Sequence, residues 1–259
     1  MSALETRFAR GAWAVAWRGL HVMAAKPSLI IPSLVFPLFF FAAFAGGLSA
    51  VDQAPNFDYP SYTTFQYVFV LMQSAIFGGV FTGFGIAADF EFGFARRLLI
   101  ASHNRSAIVA GYAVTALVRA LLVWTVVTIV AIATGLEVSG NVGDILEILV
   151  IAVMLNFAAT MFASGMAMRF RTLQAAPLIQ LPAFLIIMTA PVYVPRDLIE
   201  GWVASVAEVN PFTATLEAGR DLIIGAPAET LLAVGVAAGL IVVMLNWART
   251  GLRRAEAAG

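Results

Sequence analysis

Residues 87–106 read AADFEFGFARRLLIASHNRS, and the rest of the chain is understood from this stretch. It sets five charges, Asp89, Glu91, Arg96, Arg97 and Arg105, between two long apolar runs. A bilayer core accepts such a cluster only at high cost, so the segment belongs in water or against another protein. Its interspersed Phe90, Phe92, Phe94, Leu98, Leu99 and Ile100 argue against a plain solvated loop. A short amphipathic helix, carried by two membrane spans and presented to a partner, satisfies both constraints.

Composition agrees. The 259 residues are 61% hydrophobic and 12% charged, with mean hydropathy +0.91, which is outside soluble-globular norms. The expectation is a single all-α polytopic membrane domain over 1–259, with the lipid bilayer as its first partner. Net charge is zero, so no basic field exists for nucleic acid. The absence of cysteine excludes thiolate chemistry, thiolate-bound metals and disulfides.

A helix needs about 20 apolar residues to cross the hydrocarbon core. Windows 27–51, 59–88, 148–168, 172–195 and 230–248 are free of charge, and 106–136 contains only Arg119. They predict six spans at about 28–50, 61–87, 106–134, 145–168, 173–194 and 229–248, with the charged segment at 88–105 between the second and third. Twelve of the fifteen basic residues then fall on one side: Arg7, Arg10, Arg18 and Lys26; Arg96, Arg97 and Arg105; Arg169 and Arg171; Arg249, Arg253 and Arg254. The positive-inside rule makes that side, with both termini and the 88–105 segment, cytoplasmic.

Ahead of the first span, Arg7, Arg10, Ala14, Arg18 and His21 recur at three- and four-residue steps. They form a mostly basic helical stripe, with Trp13 and Trp17 as interfacial anchors. This predicts an interfacial helix at about 5–25, against the plainer reading of a solvated lead-in. A signal peptide fits poorly, because the basic region is too long and the apolar run exceeds a normal signal core.

Inside the spans, Gly79 and Gly83 form a small-xxx-small pair that permits close helix approach, and ordinary packing explains it better than a hinge. Arg119 lies thirteen residues beyond Ser106, about 20 Å along a helix. An intramembrane arginine is a functional-site candidate. Glu147 is a possible partner, and a structural ion pair or a snorkelling side chain are the competing readings. Between spans five and six, 195–227 reads PRDLIEGWVASVAEVNPFTATLEAGRDLIIGAP. Two short amphipathic helices broken at Asn210-Pro211 fit it, as a re-entrant pair at 196–225 or as a folded external loop.

Two motifs now combine with the span count. After span two comes D-x-E-x-G-x-x-x-R-L-L, on Asp89, Glu91, Gly93, Arg97, Leu98 and Leu99, followed by Arg105. Before span six comes N-P-x-T-x-x-x-E-A-x-R-x-L-x-x-G, on Asn210, Pro211, Thr213, Glu217, Ala218, Arg220, Leu222 and Gly225. With these the sequence resembles a type-2 ABC exporter permease, most similar to the daunorubicin-resistance branch. One departure is Ser102-His103-Asn104-Arg105, which lacks the Ser/Thr-Pro that the family often carries there.

The resemblance implies that residues 88–105 form a coupling helix, with Asp89, Glu91, Gly93, Arg96, Arg97, Leu98, Leu99 and Arg105 serving contact with a cytoplasmic ABC ATPase present in two copies. A second permease copy, identical or related, would complete the path, and Asn210, Pro211, Glu217 and Arg220 would belong to an outer gate. Glu91 would pair with Arg18 or Arg97 to join the interfacial and coupling helices. ATP and Mg would reside in the partner, with no cofactor in this chain. The only lysine, Lys26, precedes a proline, so no phosphate-binding loop is present. The implied setting is a bacterial plasma (inner) membrane, and the implied cargo an amphipathic drug, a lipid or a lipid-linked glycan. Two rivals are weaker. A lipid-modifying enzyme would need clustered His, Asp or Glu at depth, and an ion-coupled carrier ionisable groups in several spans.

Overall fold

The computed structural model describes residues 3–26, 30–53, 57–101 and 104–257, and among them no strand occurs. The helices are α1 (Ala3–Ala25), α2 (Ile31–Gly47), α3 (Tyr62–Glu91), α4 (Phe94–Ala101), α5 (Ser106–Ala133), α6 (Val142–Phe170), α7 (Ala176–Met188), α8 (Trp202–Val209), α9 (Pro211–Ile223) and α10 (Thr230–Ala257). The protein is an all-α polytopic membrane bundle. Four helices, α3, α5, α6 and α10, are long and apolar enough to cross a bilayer.

The expected spans one and five are shorter than the apolar windows that announced them. α2 has 17 residues, about 25 Å, and a 3-10 turn at Ser49–Gln53 follows it. α7 has 13 residues, begins after a 3-10 turn at Leu173–Ala175 and stops at Met188, not 194. α10 departs the other way, running on to Ala257 where 248 was expected. Of the first expected span, residues 28 and 29 lie outside the described residues, as do Ser102 and His103 of the charged segment.

Local chemistry sets the boundaries. The Ser61 side chain accepts from the Thr64 amide to start α3. Asn141 and Asp144 form a reciprocal capping box at α6. α9 begins at Pro211, where a missing N–H costs nothing, behind an Asn210 cap.

α3 is the axis: 83% of its most apolar window is buried, against 17% for α10. It packs on α6 through its glycines. A Cβ added at Gly79 would lie 2.5 Å from the Thr160 amide nitrogen, and one at Gly83 2.6 Å from the Ala163 Cβ. Asn156 donates across this seam to the Ala75 carbonyl at 2.8 Å. These pairs advance in the same direction along both helices, so α3 and α6 run parallel. α5 runs antiparallel to them, with Tyr67 bonded to Thr128 and Arg119 near Thr82.

α1 lies alongside the start of α5. Gly11 approaches Ala107, Gly111 approaches Ala12 and Val15, and Gly19 approaches Thr115. Both helices advance in steps of four, so they run parallel along a seam of small residues. The exposed face of α1 carries Arg7, Arg10, Trp13, Trp17 and His21, so the tryptophans share the basic stripe, and Arg18 turns inward. Both described chain ends meet the same end of the bundle, where Arg105 pairs with Glu256 at 3.2 Å and Arg18 meets the end of α3.

The α3–α6 seam has no room for a side chain. Gly79→Leu is expected to destabilise the purified protein by about 1–3 kcal/mol. Gly85→Ala, which meets nothing within 4 Å, should leave the thermal melting curve unchanged. Equal melting of the two variants would contradict the seam.

Candidate functional site

Two polar constructions bracket the bundle. At the basic end, α3 extends through Ala88 to Glu91, so Asp89 and Glu91 belong to the second span's last turn and not to the short helix after it. Gly93, at φ 76°, makes the corner into α4. Asp89 receives three bonds: Arg18 Nη1 at 2.9 Å, Arg18 Nη2 at 2.7 Å and Tyr112 Oη at 2.7 Å. The Arg18 guanidinium also sits 3.6 Å over the Phe94 ring. Burial works against the charge on Arg18, but the hydrogen bond and charge of Asp89 outweigh it and raise the pKa. One carboxylate thus ties α1, α3 and α5 together, with α4 stacked on the arginine.

The expected Glu91 ion pair is corrected by this arrangement: Asp89 holds Arg18. Glu91 instead accepts from the Thr172 hydroxyl at 3.0 Å and the Leu173 amide at 2.6 Å, fastening α3 to the α6–α7 turn. Arg171, left-handed at φ 57°, donates to the Arg254 carbonyl at 2.8 Å, and Arg105 reaches Glu256. On α4, Leu99 is buried and Leu98 half-buried, while Arg96 and Arg97, Ile100 and the preceding Phe92, which caps α3, are exposed. The two apolar members of that surface are 75% and 76% exposed, an unpartnered apolar-basic patch. Tyr112, Thr172 and Glu256 had no motif to announce them. Only an uncharged polar group within or beside an apolar run signals the first two.

At the opposite end, α7 stops short and the chain continues unwound through Ala190–Tyr193. Its carbonyls are bonded one after another: Pro191 by Arg220 Nη1 at 2.8 Å, Val192 by Gln66 Nε2 at 2.9 Å, and Tyr193 by Tyr62 Oη at 2.7 Å. Asn210 donates to the Ile186 carbonyl at 2.6 Å while its oxygen caps the Phe212 amide. Arg220 is fully buried, paired with Glu217 at 2.8 Å and centred 3.4 Å over the Phe65 ring. The second motif therefore holds the broken end of α7. α9 does not cross; Gly219 abuts Val68 and Met72, and Phe212 shares a cavity lining with Ile76 and Val80, midway along α3.

Arg119 sits between these constructions, 8% exposed on α5. Among the described residues its one hydrogen bond, at 3.5 Å, goes to Thr82 Oγ1. Glu147 does not pair with it: that residue is exposed near the start of α6, nine residues before the Asn156 that bonds Ala75.

Comparison with known families places this geometry. The family description ABC-2 type transporter matches residues 10–224, from α1 to the C-terminal cap of α9. The chain belongs to that family. No curated protein matches it. As an ABC-2 protein it is a permease subunit of an ABC transporter, a multi-pass membrane protein that works with an ATP-binding subunit. Both polar constructions fall within the matched region, apart from Arg254 and Glu256 of α10.

Two measurements probe the ends of this ABC-2 bundle. A double-mutant cycle on Arg18→Ala and Asp89→Ala should return a coupling of about 1 kcal/mol in thermal stability, the side chains being partly exposed. Additive losses would deny the lock. On α9, burial pushes the Asp221 carboxyl up to about 6, with the Glu217 and Glu229 charges adding and Arg220 opposing. A carboxyl raised on folding binds more protons in the folded state, so stability falls as pH rises from about 4 to about 6. Asp221→Asn should abolish that fall and stabilise the protein at pH 7 by roughly 1 kcal/mol after solvent screening. Parallel pH–stability curves for the two proteins would refute it.

Proposed function

We propose that this permease is the membrane half of an ATP-driven exporter in a bacterial inner membrane, with its basic end cytoplasmic and α4 seated on a separate ATPase. Two ATPase copies, carrying ATP and Mg, would drive two permease copies, identical or related, between inward- and outward-open states. The supporting observation is the connection of α4 to the spans. Its exposed Arg96, Arg97 and Ile100 form a docking patch with Phe92 at the end of α3, and the elements behind it are tied by Arg18–Asp89–Tyr112 and by Glu91 to the α6–α7 turn. A push on α4 therefore reaches α1, α3, α5 and α7 together.

The basic end holds most of the chain's cations, which by the positive-inside rule faces it to the cytoplasm. Six crossings put both termini there, with α2 and α7 reaching across through their 3-10 turns and, for α7, the unwound Ala190–Tyr193. A chain of ring contacts suits an amphipathic drug, a lipid or a lipid-linked glycan. It includes Phe36–Phe77, Phe36–Phe40, Phe40–Phe44 and Phe44–Tyr193. On the far side, Asn210, Pro211, Glu217 and Arg220 would act as the outer gate by letting the α7 end and α9 move as one piece.

Affinity purification of the tagged protein in mild detergent should bring down an ATP-hydrolysing subunit, and Arg97→Glu, which reverses charge on the docking patch, should weaken that recovery at least about tenfold. A preparation with no ATPase, confirmed after crosslinking in intact membranes, would overturn the exporter reading and favour an ion-coupled carrier.

A further inference from the structure

Among the described residues, Arg119 is the buried cation that neither polar construction uses. Among the described residues its guanidinium has no carboxylate partner, and its Nε has no hydrogen bond. The Thr82 hydroxyl it touches at 3.5 Å already donates to the Gly78 carbonyl at 2.9 Å. Arginine cannot shed its proton to escape the cost of burial, as a lysine can. Arg220, fully enclosed, also leaves Nε and Nη2 unbonded, but its charge is met by a carboxylate, a carbonyl and an aromatic face. Arg119 has none of these, so its charge is left for an anion from outside the chain.

The surroundings describe that anion's carrier. Along α5, Arg119 is one step of four beyond Ala107, Gly111 and Thr115, the residues against which α1 packs. It therefore sits beyond these three positions on the side away from the basic end, about midway along α5. Phe81, next in sequence to Thr82, belongs to a run of rings: Phe84, Phe81, Phe77, Phe36, Phe40, Phe44 and Tyr193, neighbouring centroids 4.8–6.0 Å apart. Phe36, Phe40, Phe44, Phe81 and Phe84 are only half-buried, so the run is accessible on either side of the buried Phe77. One fixed cation thus contacts the turn of α3 that carries Phe81, near the end of the apolar track farther from the unwound end of α7.

We propose that Arg119 binds the phosphate head group of a transported amphiphile, whose apolar body lies along the phenylalanine track. The planar guanidinium fork suits a phosphate bidentately. This deepens the transport reading by naming the cargo as anionic, and it rests on that reading for the word cargo alone; binding itself requires no ATPase.

The test uses the full-length protein in dodecyl maltoside, a phosphate-free detergent, with dodecyl phosphate as probe and dodecyl trimethylammonium as its cationic counterpart. Isothermal titration should show saturable binding of the phosphate and none of the ammonium compound. Arg119→Gln should weaken binding at least about tenfold, while Arg119→Lys, which keeps a cation without the bidentate fork, should retain only part of it. Melting curves would identify a misfolded variant, and in that event the wild-type preference for phosphate over ammonium decides alone. Equal binding of the two probes, or unchanged affinity in a folded Arg119→Gln, would overturn the proposal. Native mass spectrometry separates cargo from resident lipid: a phospholipid retained by wild type, lost in Arg119→Gln and not displaced by dodecyl phosphate, would overturn the cargo assignment. Failure of the exporter reading would appear separately, as absence of a co-purifying ATPase.

Discussion

Backbone carbonyls that leave a helix inside a bilayer must find donors within the protein, and α7 is where this chain meets that requirement. Pro182 sits within the helix and Pro191 and Pro195 follow it, so the segment cannot run unbroken to the far end of the bundle. Three side chains from two other helices, Tyr62, Gln66 and Arg220, bond the exposed carbonyls in sequence, and Asn210 closes the last helical turn. α9 descends to mid-bundle because two of these donors must be delivered there. Its amphipathic pattern follows: the face carrying Phe212, Leu216, Arg220 and Ile223 is buried, while Asp221 stays half-exposed.

The basic end solves a different problem. Its charges can be solvated, so its bonds add little to stability and serve to fix geometry. Asp89 and Glu91 are two residues apart on the last turn of α3 and point to different neighbours, one to α1 and α5, the other to the α6–α7 turn. The last turn of the central helix thereby becomes a junction, and α4, set off by the left-handed corner at Gly93, hangs from it. The ABC-2 matched region spans both ends.

Much of this was legible in the sequence. Charge-free windows located the helices, and Gly79 and Gly83 announced the close α3–α6 approach, because lack of a side chain has one main use in a membrane seam. The boundaries of α2, α7 and α10 were not legible: hydropathy measures how long a segment can stay in lipid, not where its helix ends. α7 shows the difference, its apolar run continuing through an unwound stretch that only partner side chains make tolerable. The exchange of roles between Asp89 and Glu91 was equally hidden. Two carboxylates two residues apart look alike in one dimension, and only the rotation of about 200° between them decides which meets Arg18. Tyr62, Gln66 and Tyr112 are ordinary polar residues in apolar company, and spacing alone gave no reason to join them to a site.

The parallel seam between α1 and α5 has a consequence for how the protein is made. α1 leaves the ribosome first, but the surface it packs on, Ala107, Gly111 and Thr115, is synthesised more than eighty residues later. At about 5–20 residues per second that gap lasts roughly 5–15 s. During it α1, with Trp13 and Trp17 on its open face, lacks the α5 surface it packs on, and Arg18 waits first for Asp89 and then for Tyr112. The arrival of the third long apolar segment therefore completes the seat of a helix made much earlier, and the lock at Asp89 can close only then.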